Sequence, residues 1–370
     1  MAGLGRILAI ASNPNLIHSA TWGMIGKVLR TGIPVQYHEI MLMHPSRTPS
    51  ILKVDLMETT EGFRIAEIDG HNKHGLGYST LAARIRRAVM PDAEVFSGVA
   101  AALAAEVRRR GENRVVLLYA RQEQFYLPEF RILQAELQRL GVELVVVEEQ
   151  EVRMRDGRVV TRDGADCNLF VDFPFFYHNP PLNALLVSRY RSGEIDFLIP
   201  PKPFLGSKAV LALLRNDLGD EELEAILKSQ IPAASLRLLR QYIPTTYLIY
   251  KRKEGREFWD SPYRDIPFVL KESISNGMKG TVFEDDPHFQ ETMGHACGSY
   301  YRYILQQEVT NRPQEFSSFT PDGRSVLGEW YTRVTVHFAV RRVADIVVTA
   351  RQDKKVHGAP DCLQIGAVIV

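Results

Sequence analysis

Three carboxylates stand in one short stretch, LKVDLMETTEGFRIAEIDGHN (52–72): Asp55 before a polar turn, Glu67 and Asp69 after it. Apolar residues alternating on both sides of METTEG predict a β-hairpin. In a strand, residues i and i+2 share a face, so Glu67 and Asp69 point the same way and the turn returns them beside Asp55. Like charges gathered on one surface repel and resist burial. A divalent cation removes that penalty, and Mg²⁺ takes carboxylate oxygens together with substrate phosphates. The metal candidates are therefore Asp55, Glu67 and Asp69. An exposed hairpin with solvated acids accounts for the same residues without a metal.

Lys271 carries the second signal. IPFVLKESISNGMKGTVF (266–283) reads as a strand ending near Lys271, a Ser/Gly loop with Gly277 and Gly280, and a second strand. Glycines let backbone N–H groups approach phosphate oxygens, and a lysine just before them reaches the same phosphates as a point charge. A Walker loop opens into a helix. This loop lies between strands, has no evident apolar anchor, and is suited to close over a nucleotide as a lid at 273–280; a Gly-rich hairpin turn fits the same residues. In GSKAVLALLRND (206–217), Ser207 is placed to cap a helix with Lys208 in its first turn. A cation there opposes the helix dipole, which hints at an anion beside Lys208, although solvation also serves. YILQQEV (303–309) reads as a strand whose polar end offers edge groups to a purine.

The elements that must position these groups follow from the apolar periodicity. RILAIAS reads as a first strand rather than a signal peptide, given Arg6 and the Asn-Pro stop, and NLIHSATWGMIGKVLR as a helix ending at Gly32. Helices follow at STLAARIRRAV and VAAALAAEVRRRG. RVVLLYA, VELVVVE and CNLFVDF are continuous apolar strands, and LPEFRILQAELQRLG is a helix between the first two; together they predict a small parallel sheet over 113–200. The Pro-rich FLIPPKPFLGSK marks a boundary. Cys297 lies in a helical pattern and is assigned to packing.

The chain has 370 residues, with 45 Lys+Arg against 44 Asp+Glu and a net charge of +1. That length admits a large core in two or three lobes. Balanced charge gives no reason to expect nucleic acid or an anionic membrane as partner. No apolar run approaches the roughly 20 residues of a membrane span. Three scattered cysteines give neither a disulfide framework nor a metal spacing, and a reducing, cytoplasmic setting is expected.

Taken in order, these stretches resemble the ATP-grasp superfamily, and within it the circularly permuted, glutathionylspermidine synthetase-like ligases. In that branch the metal-binding strands precede the nucleotide lobe, with a basic residue and an Asp on one strand and Glu-x-Asn on the next. Here Lys53-Val-Asp55 stands first and Glu67-Ile-Asp69 follows. Asp69 for Asn keeps an oxygen ligand, while Lys53 for Arg loses a bidentate phosphate clamp. The resemblance implies an α/β (α+β) permuted ATP-grasp fold. Residues 1–110 would be the metal-binding part of the core, 111–203 a small pre-ATP-grasp αβ lobe, and 204–370 the nucleotide lobe with the rest of the core. It implies ATP and Mg²⁺ (or Mn²⁺) as cofactors, with Lys208, Lys271, Ser273, Ser275, Gly277, Gly280, Gln307, Glu308 and Val309 on the nucleotide. VLGEW would be a short strand after the hinge. Arg351, with Arg333 behind it, and Lys53 would face the reacting phosphoryl group. His357 and Asp361 are assigned to turn chemistry ahead of a site role.

The implied reaction is amide formation between a small-molecule carboxylate and an amine through an acylphosphate, releasing ADP and phosphate. The acid is placed near HNKHGLGYS (71–79), against His71, Asn72 and Lys73. A phosphotransferase on the same fold, or an ATP-binding protein without ligase activity, remains as an alternative, and a homo-oligomer stays open.

Overall fold

The computed structural model describes residues 1–12, 19–94, 96, 98–155, 158–175, 179–249, 266–275, 280–309, 312–319, 322–339, 342–358 and 361–367. It is a mixed α/β structure built on three larger sheets and a small hairpin.

The central sheet joins the two ends of the chain. Its order is β16 (Leu363–Gly366), β15 (Arg342–Arg351), β14 (Ser325–Ala339), β1 (Ile51–Thr59) and β2 (Gly62–Asp69), with β13 (Gln314–Phe319) also on β14. The hairpin at 51–69 therefore forms as expected, and it pairs antiparallel with a strand nearly 300 residues later, Asp55 opposite Thr335 and Lys53 opposite His337. Alternation then sorts the faces. Leu52, Val54, Leu56, Ile65, Ile68, Val336 and Phe338 lie on one side, where a cavity of about 710 Å³ separates them from helices α1 (Ala2–Ala11) and α10 (Ala233–Tyr242). Lys53, Asp55, Glu67, Asp69, Arg333, Thr335 and His337 lie on the other.

Strict alternation along β2 would put Ile65 with Glu67. A β-bulge prevents this: Asp55 pairs with Glu67 but Leu56 with Ile65, so Ala66 has no partner and the face flips. Bulges re-aim side chains in this way beside functional sites.

The four-stranded sheet β11 (Thr281–Phe283), β10 (Phe268–Glu272), β12 (Tyr303–Gln307) and β9 (Thr246–Ile249) is antiparallel throughout. The other four-stranded sheet has β4 (Glu143–Glu148), β3 (Arg114–Tyr119), β7 (Leu169–Phe170) and β8 (Asp196–Phe197), all parallel as the apolar runs predict. Helices α5 (Val99–Arg109) and α6 (Leu127–Arg139) cover one face of it through Leu103, Val107, Phe130, Leu133 and Leu137, and α7 (Pro180–Ser192) covers the other through Leu182, Leu186 and Tyr190. A short hairpin, β5 (Arg153–Arg155) with β6 (Arg158–Val160), follows β4.

The expected first strand is instead helix α1. Gly3, Leu4, Ile7, Leu8 and Ala11 are buried at helical spacing, whereas a short continuous apolar run does not by itself distinguish a buried strand from a buried helix. Its glycines permit close packing: a Cβ at Gly5 would lie 2.0 Å from the Pro45 carbonyl oxygen. The next helix, α2 (Ala20–Arg30), is capped by Ser19, which accepts from the Trp22 amide; positions 15–18 of the expected helix lie outside the described residues. VLGEW is the start of the 15-residue strand β14 rather than a short strand of its own. Four more helices complete the frame used below: α3 (His38–Leu42), α4 (Leu76–Val89), α8 (Ala209–Arg215) and α9 (Glu221–Gln230).

Candidate active site: two cavities sharing one edge

Between the central sheet and the β9–β12 sheet lies a cavity of about 240 Å³. Lys271, at the end of β10, points into it and donates to Gln306 Oε1 at 2.6 Å and to the bulged Ala66 carbonyl at 3.4 Å. Lys208 enters beside Glu67, Nζ to Oε1 3.2 Å, and donates to the Ser275 carbonyl at 3.0 Å. Lys208 occupies the N-cap position of α8, one residue earlier than expected, and its amide is anchored on the Ser273 carbonyl at 2.8 Å. Gln307, Glu308 and Val309 line the opposite end with Phe283, Tyr331 and Lys354. Lys354 lies 4.4 Å from the Phe283 ring centroid. Burial pushes the Lys271 ammonium down to about 8, against the pull of Glu67 and with the help of nearby Lys208.

A second cavity, of about 150 Å³, lies on the same sheet face, and Asp55, Glu67 and Arg333 line both. Asp55 is gripped by Arg333 at 3.3 Å and Thr335 Oγ1 at 2.6 Å. Asp69 is held by Lys53 at 2.9 Å, by His71 Nδ1 at 2.9 Å and by Asn72 Nδ2 at 2.6 Å. Burial would raise its pKa, but Lys53 and His71 hold it well below the usual carboxylate range. Burial would lower that of Lys53, yet Asp69 and Asp55 keep it above its ordinary value.

Three more buried groups wall the second cavity, and burial disfavours the charged form of each. His337 is fully buried on β14, neither ring nitrogen has a hydrogen-bond partner, and burial together with Lys53 pushes it down to about 3. His74 stacks on Tyr126, centroids 4.0 Å apart, bonds Glu123 at 3.0 Å, and is pushed down to about 4 chiefly by burial. Glu129, on α6, accepts from the Gly75 and Gly77 amides through Oε1, while Oε2 has no partner. Burial pushes its carboxyl up to about 7.

The structure brings together much of what the sequence singled out and separates the rest. Ser273 turns away from the cavity, its hydroxyl donating to the Tyr301 carbonyl at 3.1 Å, and Ser275 meets Lys208 through its carbonyl. Gly280, at φ +72°, closes the hairpin by accepting the Glu272 amide at 2.8 Å; a Cβ there would lie 2.8 Å from that of Glu272. Gly277 lies outside the described residues, as do its neighbours 276, 278 and 279. The loop start is not without an apolar anchor, because Ile274 packs against the main core. Arg351 lines neither cavity: it braces the C-terminal loop by donating to Asp361 at 2.9 Å and to the Lys355 carbonyl at 3.0 Å. Asp361 is thus loop chemistry, while His357 lines the second cavity. Asn72 also lines it, but His71 is taken up by Asp69, and Lys73 is buried against Asp172 at 3.3 Å.

Glu129 and His337 escaped the sequence reading, although both left a signal. Glu129, Leu133 and Leu137 follow one helical face at steps of four, an acid in an apolar stripe. In RVTVHF (333–338), Arg333, Thr335 and His337 alternate with Val334, Val336 and Phe338. Gln306 was hidden one residue before the chosen hinge.

No protein-family model matches the chain, and no curated protein does. Among solved structures it is similar to D-alanyl-alanine synthetase A from Vibrio cholerae O1 biovar eltor (10% identity, 63% of this chain and 88% of the other, TM-score 0.31). It is also similar to a RimK domain protein ATP-grasp from Sphaerobacter thermophilus (14% identity, 68% and 89%, TM-score 0.31). A third similar structure is the D-cycloserine synthetase DcsG (12% identity, 63% and 90%, TM-score 0.33). Overlap this slight transfers no residue roles.

Proposed function

We propose that this protein is an ATP-dependent carboxylate–amine ligase of the permuted ATP-grasp type, forming an amide through an acylphosphate. The observation that carries the reading is the shared edge. A lysine-rich cavity and a second, polar cavity meet at Asp55, Glu67 and Arg333, the arrangement needed to pass a phosphoryl group from a nucleotide to an acid and then receive an amine. One feature of the topology supports the permuted order: the hairpin at 51–69 completes a sheet whose other strands come from 314–366. Residues 1–110 and 204–370 would then form one core, with 111–203 as the small αβ lobe.

In the first cavity, Lys208 and Lys271 receive the phosphates, exchanging the Ser275 and Gln306 oxygens they hold now for phosphoryl oxygens. The Gln307 and Glu308 amides already donate to the Thr245 and Pro267 carbonyls at 2.8 and 2.7 Å. That leaves Val309 to supply the hinge amide for a purine edge, with Phe283 and Tyr331 as apolar walls.

Asp55 and Glu67 suit Mg²⁺. They face each other in register on one sheet face, and one or two carboxylates plus phosphates is the set this ion takes. Among the described residues, no three His, Cys, Asp or Glu side chains form a group that could hold a metal. Asp69, tied to Lys53, positions that lysine instead. When bound, Mg²⁺ or Mn²⁺ would neutralise charge on the transferring phosphoryl group. Arg333 lies at the junction to stabilise the same charge from the protein side. The acid binds in the second cavity beside Lys53 and Asn72. Among the described residues no helix is long and apolar enough to cross a membrane. Three scattered cysteines suit a reducing, cytoplasmic setting.

The test is ADP release with ATP–Mg²⁺ over a panel of amino acids and amines, with mass spectrometry of the products. ADP formed only with an acid and an amine together, and an amide product, are expected. A stable phosphorylated acid with no need for amine would establish the phosphotransferase alternative.

A further inference from the structure

Glu129 occupies an unusual position. It is fully buried at the start of α6, at the third residue of that helix. One carboxyl oxygen is used: Oε1 accepts the Gly75 and Gly77 amides at the start of α4, as an N-terminal cap would. The packing is tight, since a Cβ on Gly77 would lie 2.0 Å from the Glu129 carbonyl oxygen. Capping explains Oε1 but not Oε2, which is buried, has no hydrogen-bond partner, and belongs to a residue that lines the second cavity. A buried carboxylate oxygen without a donor is costly. It is retained where a ligand supplies the donor.

The surroundings indicate which donor. Tyr78 and Tyr126 line the cavity beside Glu129, and the neighbouring imidazoles of His74 and His337 are neutral. Aromatic rings beside a carboxylate form the environment that receives an ammonium group. The cations that line the cavity are already engaged, Lys53 by Asp69, Asn72 Oδ1 and the His74 carbonyl, and Arg333 by Asp55.

We propose that Glu129 binds the primary ammonium group of the amine substrate and takes its proton, making Glu129 the general base of the amide-forming half-reaction. This rests on the ligase reading. The alkylammonium gives one N–H proton to Glu129 Oε2, leaving a nitrogen lone pair. That pair forms the C–N bond to the acyl carbon of the acylphosphate, and the C–O bond to phosphate breaks with its electrons going to phosphate. The second N–H proton leaves with the phosphate, and Glu129 returns its proton to solvent. Acylphosphate formation needs no base of this kind, so the two half-reactions depend on Glu129 unequally.

Glu129→Gln separates the cap from the base, because a carboxamide oxygen still accepts from the Gly75 and Gly77 amides but takes up no proton. The experiment supplies ATP–Mg²⁺ and a mixture of amino acids and dicarboxylic acids as acyl donors. The acceptor is either methylamine, an ammonium ion at neutral pH, or hydroxylamine, which is neutral there and needs no base. The variant should lose transfer to methylamine by about 10²-fold or more, the usual size of general-base catalysis, and lose hydroxamate formation far less. In the wild type, methylamine transfer should fall as pH drops through about 7, where burial places the Glu129 carboxyl despite Lys53; this limb should vanish in the variant. Lys53, Tyr78 and Tyr126 act on Glu129 and are all shifted away from 7, as are the cavity-lining His74 and His337; His357 lines the same cavity, so loss of the limb in the variant is what assigns it to Glu129. Equal losses with both acceptors, or methylamine transfer at the wild-type rate, would overturn the assignment and leave Glu129 a cap. No hydroxamate from the wild type would overturn the ligase reading and this proposal together. A thermal melt of the variant within a few degrees of wild type confirms that the cap survives.

Discussion

The two cavities share three residues and one sheet, yet their electrostatics are opposite in kind. The first is cationic: Lys208, Lys271, Arg333 and Lys354 converge on it, and its carboxylates answer them at distances such as 3.2 Å for Lys208 to Glu67. In the second, beside the Lys53–Asp69 ion pair, burial disfavours the charged forms of three walls, with His337 down to about 3, His74 down to about 4 and Glu129 up to about 7. Burial is the leading cause in each case, but its consequence differs. In the first cavity it makes Lys271 more responsive to an incoming anion; in the second it leaves hydrogen-bonding groups unmet until a substrate arrives. A phosphoryl group needs positive charge, while an amine nucleophile needs a proton acceptor.

The largest effect should come from the shared edge. Glu67→Gln removes a carboxylate common to both cavities and should lower turnover by about 10³-fold while leaving the melting temperature close to wild type. A variant with more than a tenth of wild-type turnover would remove Glu67 from the mechanism. Lys271→Ala breaks the symmetry between the cavities: nucleotide binding should weaken by about 1.5–3 kcal/mol, with the amine's KM little changed. Unchanged nucleotide affinity by calorimetry would detach Lys271 from the phosphates.

Acidity sharpens the same contrast. Because burial lowers Lys271 to about 8, the free protein loses that charge as pH rises through 8, and the protonated form is the one that binds phosphate. Nucleotide affinity should therefore be full below about 7 and about tenfold weaker one pH unit above 8, with proton uptake on binding in that window. Lys271→Ala should abolish this slope. The smallest effect is expected at His337. Its two unpartnered ring nitrogens make it a poor contributor to stability, so His337→Leu should change stability by no more than about 1 kcal/mol, in either direction, while lowering amide formation. A strongly destabilised variant would show that the imidazole is held by partners.

Much of the site could be read from alternation. Asp55, Glu67 and Asp69 share a face because strands have period two, and the order Lys208, Lys271, Gln307–Val309 identified one cavity before its walls were known. What stayed hidden was set by contacts across long sequence separation. The bulge at Ala66 arises from pairing with β1, and Glu129 acquires its role only where α6 meets the start of α4. Arg351 lies off both cavities, held by Asp361 ten residues on. The first strand fails for a different reason: Ala9 and Ile10 are apolar although the helix leaves them only half-buried, so the sequence shows a continuous apolar run in place of helical spacing.

The central claim is that a phosphoryl group crosses the edge shared by the two cavities onto a carboxylate. Amino acids labelled with oxygen-18 in their carboxyl groups, incubated with the protein, ATP–Mg²⁺ and amine, test this directly. Acylphosphate chemistry requires that the phosphate released carry one labelled oxygen for each amide formed. Unlabelled phosphate accompanying ADP release would mean that water, not a carboxylate, receives the phosphoryl group, and would contradict the account.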